Sequence, residues 1–193
     1  MAQQIINNGT VAGDGTGEIL FTAFEKVNDN FTELYDKKFG VWNYQHDGGS
    51  QAITSSVWTP VENDGLGANT ITTFALTGVD IYDLMSQRFD YNDLTLADSI
   101  EYRFDGNVTT TSVNQVVAVR LVLSYGVLNI PLTFIYNTFK STGTYPLFGS
   151  LRSPILTELI RTNPARMEIY SDDALTLDLN GYNIQVTKQN MGT

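Results

Sequence analysis

Leu128-Asn129-Ile130-Pro131-Leu132-Thr133-Phe134-Ile135-Tyr136-Asn137 sets Leu128, Ile130, Leu132, Phe134 and Tyr136 against Asn129, Pro131, Thr133, Ile135 and Asn137 in strict alternation. Successive side chains of a strand point to opposite faces, so a period of two marks a strand with one buried and one open face. The pattern recurs to either side. Ile100, Tyr102 and Phe104 alternate with Ser99, Glu101 and Arg103. Leu175, Leu177 and Leu179 alternate with Thr176 and Asp178, and Tyr182, Ile184 and Val186 continue the theme. Candidate strands are 41–46, 52–60, 69–76, 79–84, 98–105, 115–124, 127–138, 144–148, 166–171, 174–179 and 182–188, some of which must merge or fail. Asp47-Gly48-Gly49, Asp64-Gly65, Asp105-Gly106 and Asn180-Gly181 read as turns between them, and residues 154–163 as one short helical turn. Strands so spaced predict an antiparallel β-sandwich of jelly-roll type.

One strand departs from the alternation. In Val116-Val117-Ala118-Val119-Arg120-Leu121-Val122-Leu123 both faces are largely apolar. An outer face should be polar, so Val116, Ala118 and Val122 must be covered too, by a loop of the same chain or by a neighbouring subunit. They form a candidate interface strand.

Before residue 40 the period differs. Residues 1–17 are polar and punctuated by Gly9, Gly13, Gly15 and Gly17, which reads as an extended arm. Leu20, Phe24, Val27, Phe31 and Leu34 then recur at intervals of four, three, four and three, one apolar stripe along a helix over 17–38. Thr16 is its candidate N-cap, and Gly40 can stop it. Two heptads are marginal alone in water, so the stripe must be buried on its own domain or in an intermolecular bundle. The sequence thus divides into an arm and amphipathic helix, 1–39, and a sandwich, 40–193.

Composition narrows the chemistry. The 193 residues include 42% hydrophobic side chains, enough for a real core, and 21 acidic against 11 basic residues, a net charge of −10. Such a chain repels phosphate backbones, which argues against nucleic acid. Residues 1–8 lack the basic-then-apolar signature of a signal peptide, and Val113 to Leu123 is too short and polar to span a bilayer, so no membrane partner is expected. With no cysteine and a single histidine, His46, there is no thiolate or multi-histidine metal site. Asp90 with Asp93, Asp172 with Asp173, and Glu62 with Asp64 are the possible catalytic carboxylate pairs, yet each lies in a turn where aspartate serves its own backbone. Asn63-Asp64-Gly65-Leu66-Gly67 lacks the oxygen ladder of a calcium loop. His46-Asp47 has no nucleophile elbow beside it and reads as a turn histidine. Trp42, Tyr44 and Tyr145 are either core or aromatic platforms for sugars or partners. The expectation is a protein that is not an enzyme, with no cofactor and no metal.

The stretch Ile6-Asn7-Asn8-Gly9-Thr10-Val11-Ala12-Gly13-Asp14-Gly15-Thr16-Gly17, continued by Leu20-Phe21-Thr22-Ala23-Phe24-Glu25-Lys26-Val27-Asn28-Asp29-Asn30-Phe31-Thr32-Glu33-Leu34-Tyr35, resembles a module of tailed-bacteriophage virion proteins. The recurring pattern is Asn-x-Gly-Thr, then Asp-Gly-Thr-Gly, then Leu-x-x-Ala-Phe-x-Lys-x-Asn-x-Asn-Phe-x-Glu-Leu-Tyr. Phe89-Asp90-Tyr91-Asn92-Asp93-Leu94 onward is similar, more loosely, to trimeric jelly-roll heads of phage surface proteins. The resemblance implies a structural protein of the virion surface: a homotrimeric capsid decoration or head-fibre knob, or a tail-associated fibre that grips host surface glycans. It implies attachment to other virion proteins through an arm containing Ile5, Ile6, Asp14, Gly15, Thr16 and Gly17. The stripe Leu20, Phe24, Val27, Phe31 and Leu34 would make the trimer or anchor helix. A virion glycan hydrolase is the reading from another class.

Overall fold

The computed structural model describes residues 15, 17, 22–28 and 39–189. Residues 39–189 form one compact unit, and residues 22–28 belong to another.

The sandwich is built from β1 (Phe39–Gln45), β2 (Gln51–Ile53), β3 (Thr59–Pro60), β4 (Tyr82–Asp83), β5 (Arg88–Phe89), β6 (Ser99–Thr110), β7 (Gln115–Leu123), β8 (Ile130–Phe139), β9 (Gly143–Pro154), β10 (Arg166–Ser171) and β11 (Leu175–Thr187). One sheet has the order β1-β11-β6-β9, with β2 also pairing β11, and the other β3-β10-β7-β8. Every pairing is antiparallel. Apart from the β7–β8 hairpin, each connection between these eight longer-range strands carries the chain from one sheet to the other. That is the jelly-roll path.

The inner faces meet through the alternation seen in the sequence. Trp42 and Tyr44 of β1, Ile100, Tyr102 and Phe104 of β6, Val117, Val119 and Leu121 of β7, Met167 and Ile169 of β10, and Leu177, Tyr182 and Ile184 of β11 are all buried. The long connection from β3 to β6 adds to this core instead of looping into solvent. Its Val61, Leu76, Ile81, Tyr82, Phe89, Tyr91 and Leu94 are buried, and the β4–β5 hairpin plugs the sandwich with aromatic rings. Phe89 lies edge-on to Tyr102 at 5.0 Å, and Tyr82 packs at 4.9 Å from Phe89 and 5.3 Å from Tyr44. Trp42 and Tyr44 are therefore core and not platforms, while Tyr145 is half-buried, stacked on Phe139 at 4.8 Å.

The structure corrects several strand boundaries. Asn180-Gly181 is no turn: β11 runs straight through it, and the register against β6 slips between Leu179 and Gly181. One extra residue flips the inward set from odd to even numbers, so Leu179 and Tyr182 both face the core. Gly106, also expected in a turn, lies inside β6 opposite this bulge, where a Cβ would sit 3.0 Å from the Asp178 carbonyl. A second slip, between Val119 and Arg120 of β7 and around Phe134 of β8, turns Ile135 inward and leaves Tyr136 69% exposed, the reverse of the simple alternation. The candidate strand 69–76 is a series of turns that touches β1 through the bridge Ile71 to Asn43, the Val41 amide on the Phe74 carbonyl and the Gln45 amide on the Thr70 hydroxyl, without forming a strand. The 52–60 candidate breaks at Ser56, which has a φ of 59°. Residues 22–28 form helix α1, and the expected helical turn near 154–163 is a short helix, α2 (Glu158–Thr162), capped by the Thr157 hydroxyl on the Ile160 amide.

Candidate functional site

Of the expected anchor stripe, Phe24 and Val27 lie in the described helix α1, residues 22–28, and Leu20, Phe31 and Leu34 lie outside the described residues. Phe24 is 58% exposed and Val27 half-buried. Of the expected arm, Gly15 and Gly17 are exposed, with Gly15 at a φ of 73°; Ile5, Ile6, Asp14 and Thr16 lie outside the described residues.

The doubly apolar strand β7 finds its second cover within the chain. Its outward residues Ala118, Arg120 and Val122 pair with Tyr170, Glu168 and Arg166 of β10. Glu168 is buried and takes a forked pair of N–H donors from each arginine. Oε2 accepts from Arg120 Nε at 2.9 Å and lies 2.7 Å from Arg120 Nη2; Oε1 accepts from Arg166 Nε at 3.2 Å and Nη2 at 2.6 Å. Arg120 also lies 3.9 Å over the Trp58 ring, and Arg166 lies 3.8 Å over Tyr125. This row of Trp58, Arg120, Glu168, Arg166 and Tyr125 roofs Ala118 and Val122, which are buried in the single chain. Their burial needs no second subunit. Val116, at the strand's start, stays half-exposed.

The outer face of the other sheet is polar and carries a shallow depression of about 720 Å³. Two rows of cross-strand neighbours make it. In the first, Asn43 of β1, Asn183 of β11, Arg103 of β6 and Ser150 of β9 stand side by side. In the second, Gln45, Gly181, Asp105 and Phe148 do the same. Gly181 is the reason for the depression: it offers no side chain between Gln45 and Asp105, and any Cβ there would collide with the Tyr44 carbonyl. Asn180 folds onto Asp105, its Nδ2 donating to Oδ1 at 3.0 Å. Phe148 forms one wall and is 72% exposed. Sequence reasoning missed this site, because its floor exists only through the bulge that was expected to be a turn.

Four of the six candidate carboxylates, those of Asp64, Asp90, Asp93 and Asp172, are tied to the backbone. Asp64 Oδ1 accepts from the amides of Asp47 and Leu66, both at 3.0 Å. Burial pushes its carboxyl up, and these amides outweigh that, holding it below the usual carboxylate range. Asp90 accepts from the Asn92 amide, Asp93 from the Asp80 amide and Asp172 from the Val116 amide. His46 accepts from the Asp64 amide through Nδ1, so Nε2 carries the proton and donates to the Gly49 carbonyl at 3.0 Å. This is the turn histidine of the sequence reading, linking residues 46–49 to residue 64. Among the described residues no group of three or more His, Asp or Glu side chains could hold a metal ion, and no helix is long and apolar enough to cross a membrane.

Five tyrosines, Tyr44, Tyr82, Tyr91, Tyr102 and Tyr182, are buried between the sheets. Burial pushes the Tyr44 phenol up to about 12, with help from Asp80. It raises the other four as well, and the Tyr102 hydroxyl donates to that of Tyr91. These are core groups held neutral, not reactive ones.

No protein-family model matches the chain, and no curated protein sequence does. Among solved structures, Eiger TNF from S. frugiperda is similar at a TM-score of 0.45 and 7% identity, over 81% of this chain and 98% of that one. The infectious bursal disease virus VP2 subviral particle is similar at 0.41 and 11% identity, over 79% of this chain and 34% of that one. The Tobacco streak virus coat protein is similar at 0.34 and 13%, over 80% and 89%. The jelly-roll topology of the present chain is read from its own strand order, β1-β11-β6-β9 against β3-β10-β7-β8.

Proposed function

We propose that the chain is a non-enzymatic structural protein of a tailed-phage virion, displayed as a homotrimeric knob on the capsid and held there by its N-terminal module. The observation that carries this reading is the module itself, residues 6–35, where polar positions match the phage pattern as well as the apolar stripe does. Two structural facts support it. Residues 39–189 close their own core, so the sandwich has no need of the N-terminal residues for stability. Phe24, central to the stripe, is left 58% exposed in the single chain, an apolar group that an assembly would bury. Three such helices can share one seam.

Light scattering of the full chain should return three times the chain mass, and Phe24→Ser with Phe31→Ser should lower it while the sandwich stays folded. A monomer at micromolar concentration would refute the trimer. Electron microscopy of particles should place the knob on the capsid; density at the tail would favour the fibre reading.

A further inference from the structure

The geometry points to a saccharide-binding site in the depression on the outer face of the β1-β11-β6-β9 sheet, selective for neutral oligosaccharides. This goes beyond the structural role proposed above and does not depend on where the knob is displayed.

The residues there suit a polyhydroxyl ligand for several reasons. The row Asn43, Asn183, Arg103 and Ser150 spans four strands, roughly 14 Å at ordinary strand spacing. That is room for a short chain of sugars lying across the sheet. The donors and acceptors along it are largely unspent, apart from Asn43, whose Nδ2 donates to the Asn69 carbonyl at 2.8 Å and whose Oδ1 stays free among the described residues. Arg103, Ser150 and the Gln45 carboxamide make no side-chain hydrogen bond among the described residues. Asn183 only accepts from Gln185, at 3.4 Å. Asp105 binds Asn180 through Oδ1 and keeps Oδ2 for a ligand. Planar amide, guanidinium and carboxylate groups pair well with neighbouring hydroxyls, each of which both donates and accepts.

The second requirement is an apolar surface for the C–H face of a pyranose. Phe148, 72% exposed at the end of the row that Gly181 opens, supplies it. The third is charge. Arg103 and Asp105 are the two formal charges lining the depression and cancel, while the chain as a whole carries −10. A polyanionic ligand would meet one cation against an acidic protein, and a purely apolar one would strand these polar groups. A neutral, hydroxyl-rich ligand avoids both penalties.

The test is titration of the isotope-labelled full chain with maltohexaose, chitohexaose and mannohexaose, reading backbone amide shifts, with dextran sulfate as the polyanion control. At least one neutral hexasaccharide should shift amides of Asn43, Arg103, Phe148, Gly181 and Asn183, with dissociation constants on the order of 0.1–1 mM. Phe148→Ala should weaken that binding by about tenfold. Arg103→Gln should weaken it by a similar factor, and both variants should keep the wild-type circular dichroism and melting temperature. Three results would overturn the proposal. One is the absence of shifts with all three sugars at about 10 mM. Another is binding that maps elsewhere or survives in the Phe148→Ala, Arg103→Gln double variant. The third is a change in oligomeric mass in either variant, which would make this face a contact between copies of the chain.

Discussion

Replacing Glu168 with alanine should cost the sandwich about 2–3 kcal/mol, and the reasoning can be followed group by group. The Glu168 side chain is 5% exposed and is the common acceptor for two guanidiniums, each bound through a fork. Removing one partner of a buried ion pair typically costs about 3–5 kcal/mol, because the other is left unpaired. Arg120 and Arg166 keep 23% and 19% of their side-chain surface, so water recovers part of that loss and the lower range applies. The two cations would then face each other across β7 and β10 with nothing between them. In urea, a slope of about 2 kcal/mol/M turns this into a midpoint lower by about 1–1.5 M. Arg120→Met, Glu168→Met and Arg166→Leu together should recover most of it, since an apolar row can replace a buried network at little cost. A midpoint shift of Glu168→Ala below about 0.3 M would show that the roof over Ala118 and Val122 does not depend on the carboxylate, and the account of that face would fail.

Alkaline unfolding should be steep. The folded state raises the phenol pKa of Tyr44 to about 12, above the ordinary value of 10.0, and raises Tyr82, Tyr91, Tyr102 and Tyr182 too. A raised acid contributes stability below its unfolded pKa that is lost as pH climbs toward the folded value, so stability should hold to about pH 10 and fall above it. Tyrosinate absorbance should therefore appear together with loss of near-ultraviolet dichroism; buried tyrosines that ionise in a folded chain would contradict this. Gly181→Ala should destabilise the sandwich by about 2 kcal/mol or more through its clash with β1, measured by thermal melting, and an unchanged melting temperature would contradict the close approach of β1 and β11 at that bulge.

The jelly roll was legible because most strands keep one parity over their length, as Ile100, Tyr102 and Phe104 do. Where parity breaks, local pattern reading fails for a physical reason. Asn-Gly favours a hairpin turn and tolerates a bulge equally, and nothing within Asn180-Gly181 distinguishes them. The distinguishing signal was longer in range: Leu175, Leu177 and Leu179 shift to Tyr182, Ile184 and Val186, a step of one residue that a continuous strand can absorb. The slip opposite Arg120 reversed Ile135 and Tyr136 in the same way: β8 carries one extra residue, Phe134, between the partners of Val119 and Arg120, and only the pairing with β7 reveals which residue is extra. The residues from Val61 to Asp98 held too few regular repeats to reveal that their aromatics plug the core. The depression was illegible because its residues come from four strands far apart in sequence, joined only by register. The doubly apolar β7 did signal a covered second face, but the cover comes from Arg166, Glu168 and Tyr170 across β10.

The central claim is that the N-terminal module fastens the knob to the particle. On the proposed reading, phage particles prepared without this protein can be mixed with the full chain or with a fragment spanning Phe39–Gln189, which contains the described core. Sedimentation of the particles with quantification of bound protein then gives the answer. The account predicts that the full chain decorates the particles, while the fragment melts cooperatively as a sandwich yet stays in the supernatant. A fragment that decorates as fully as the whole chain, or a whole chain that does not bind at all, would contradict it.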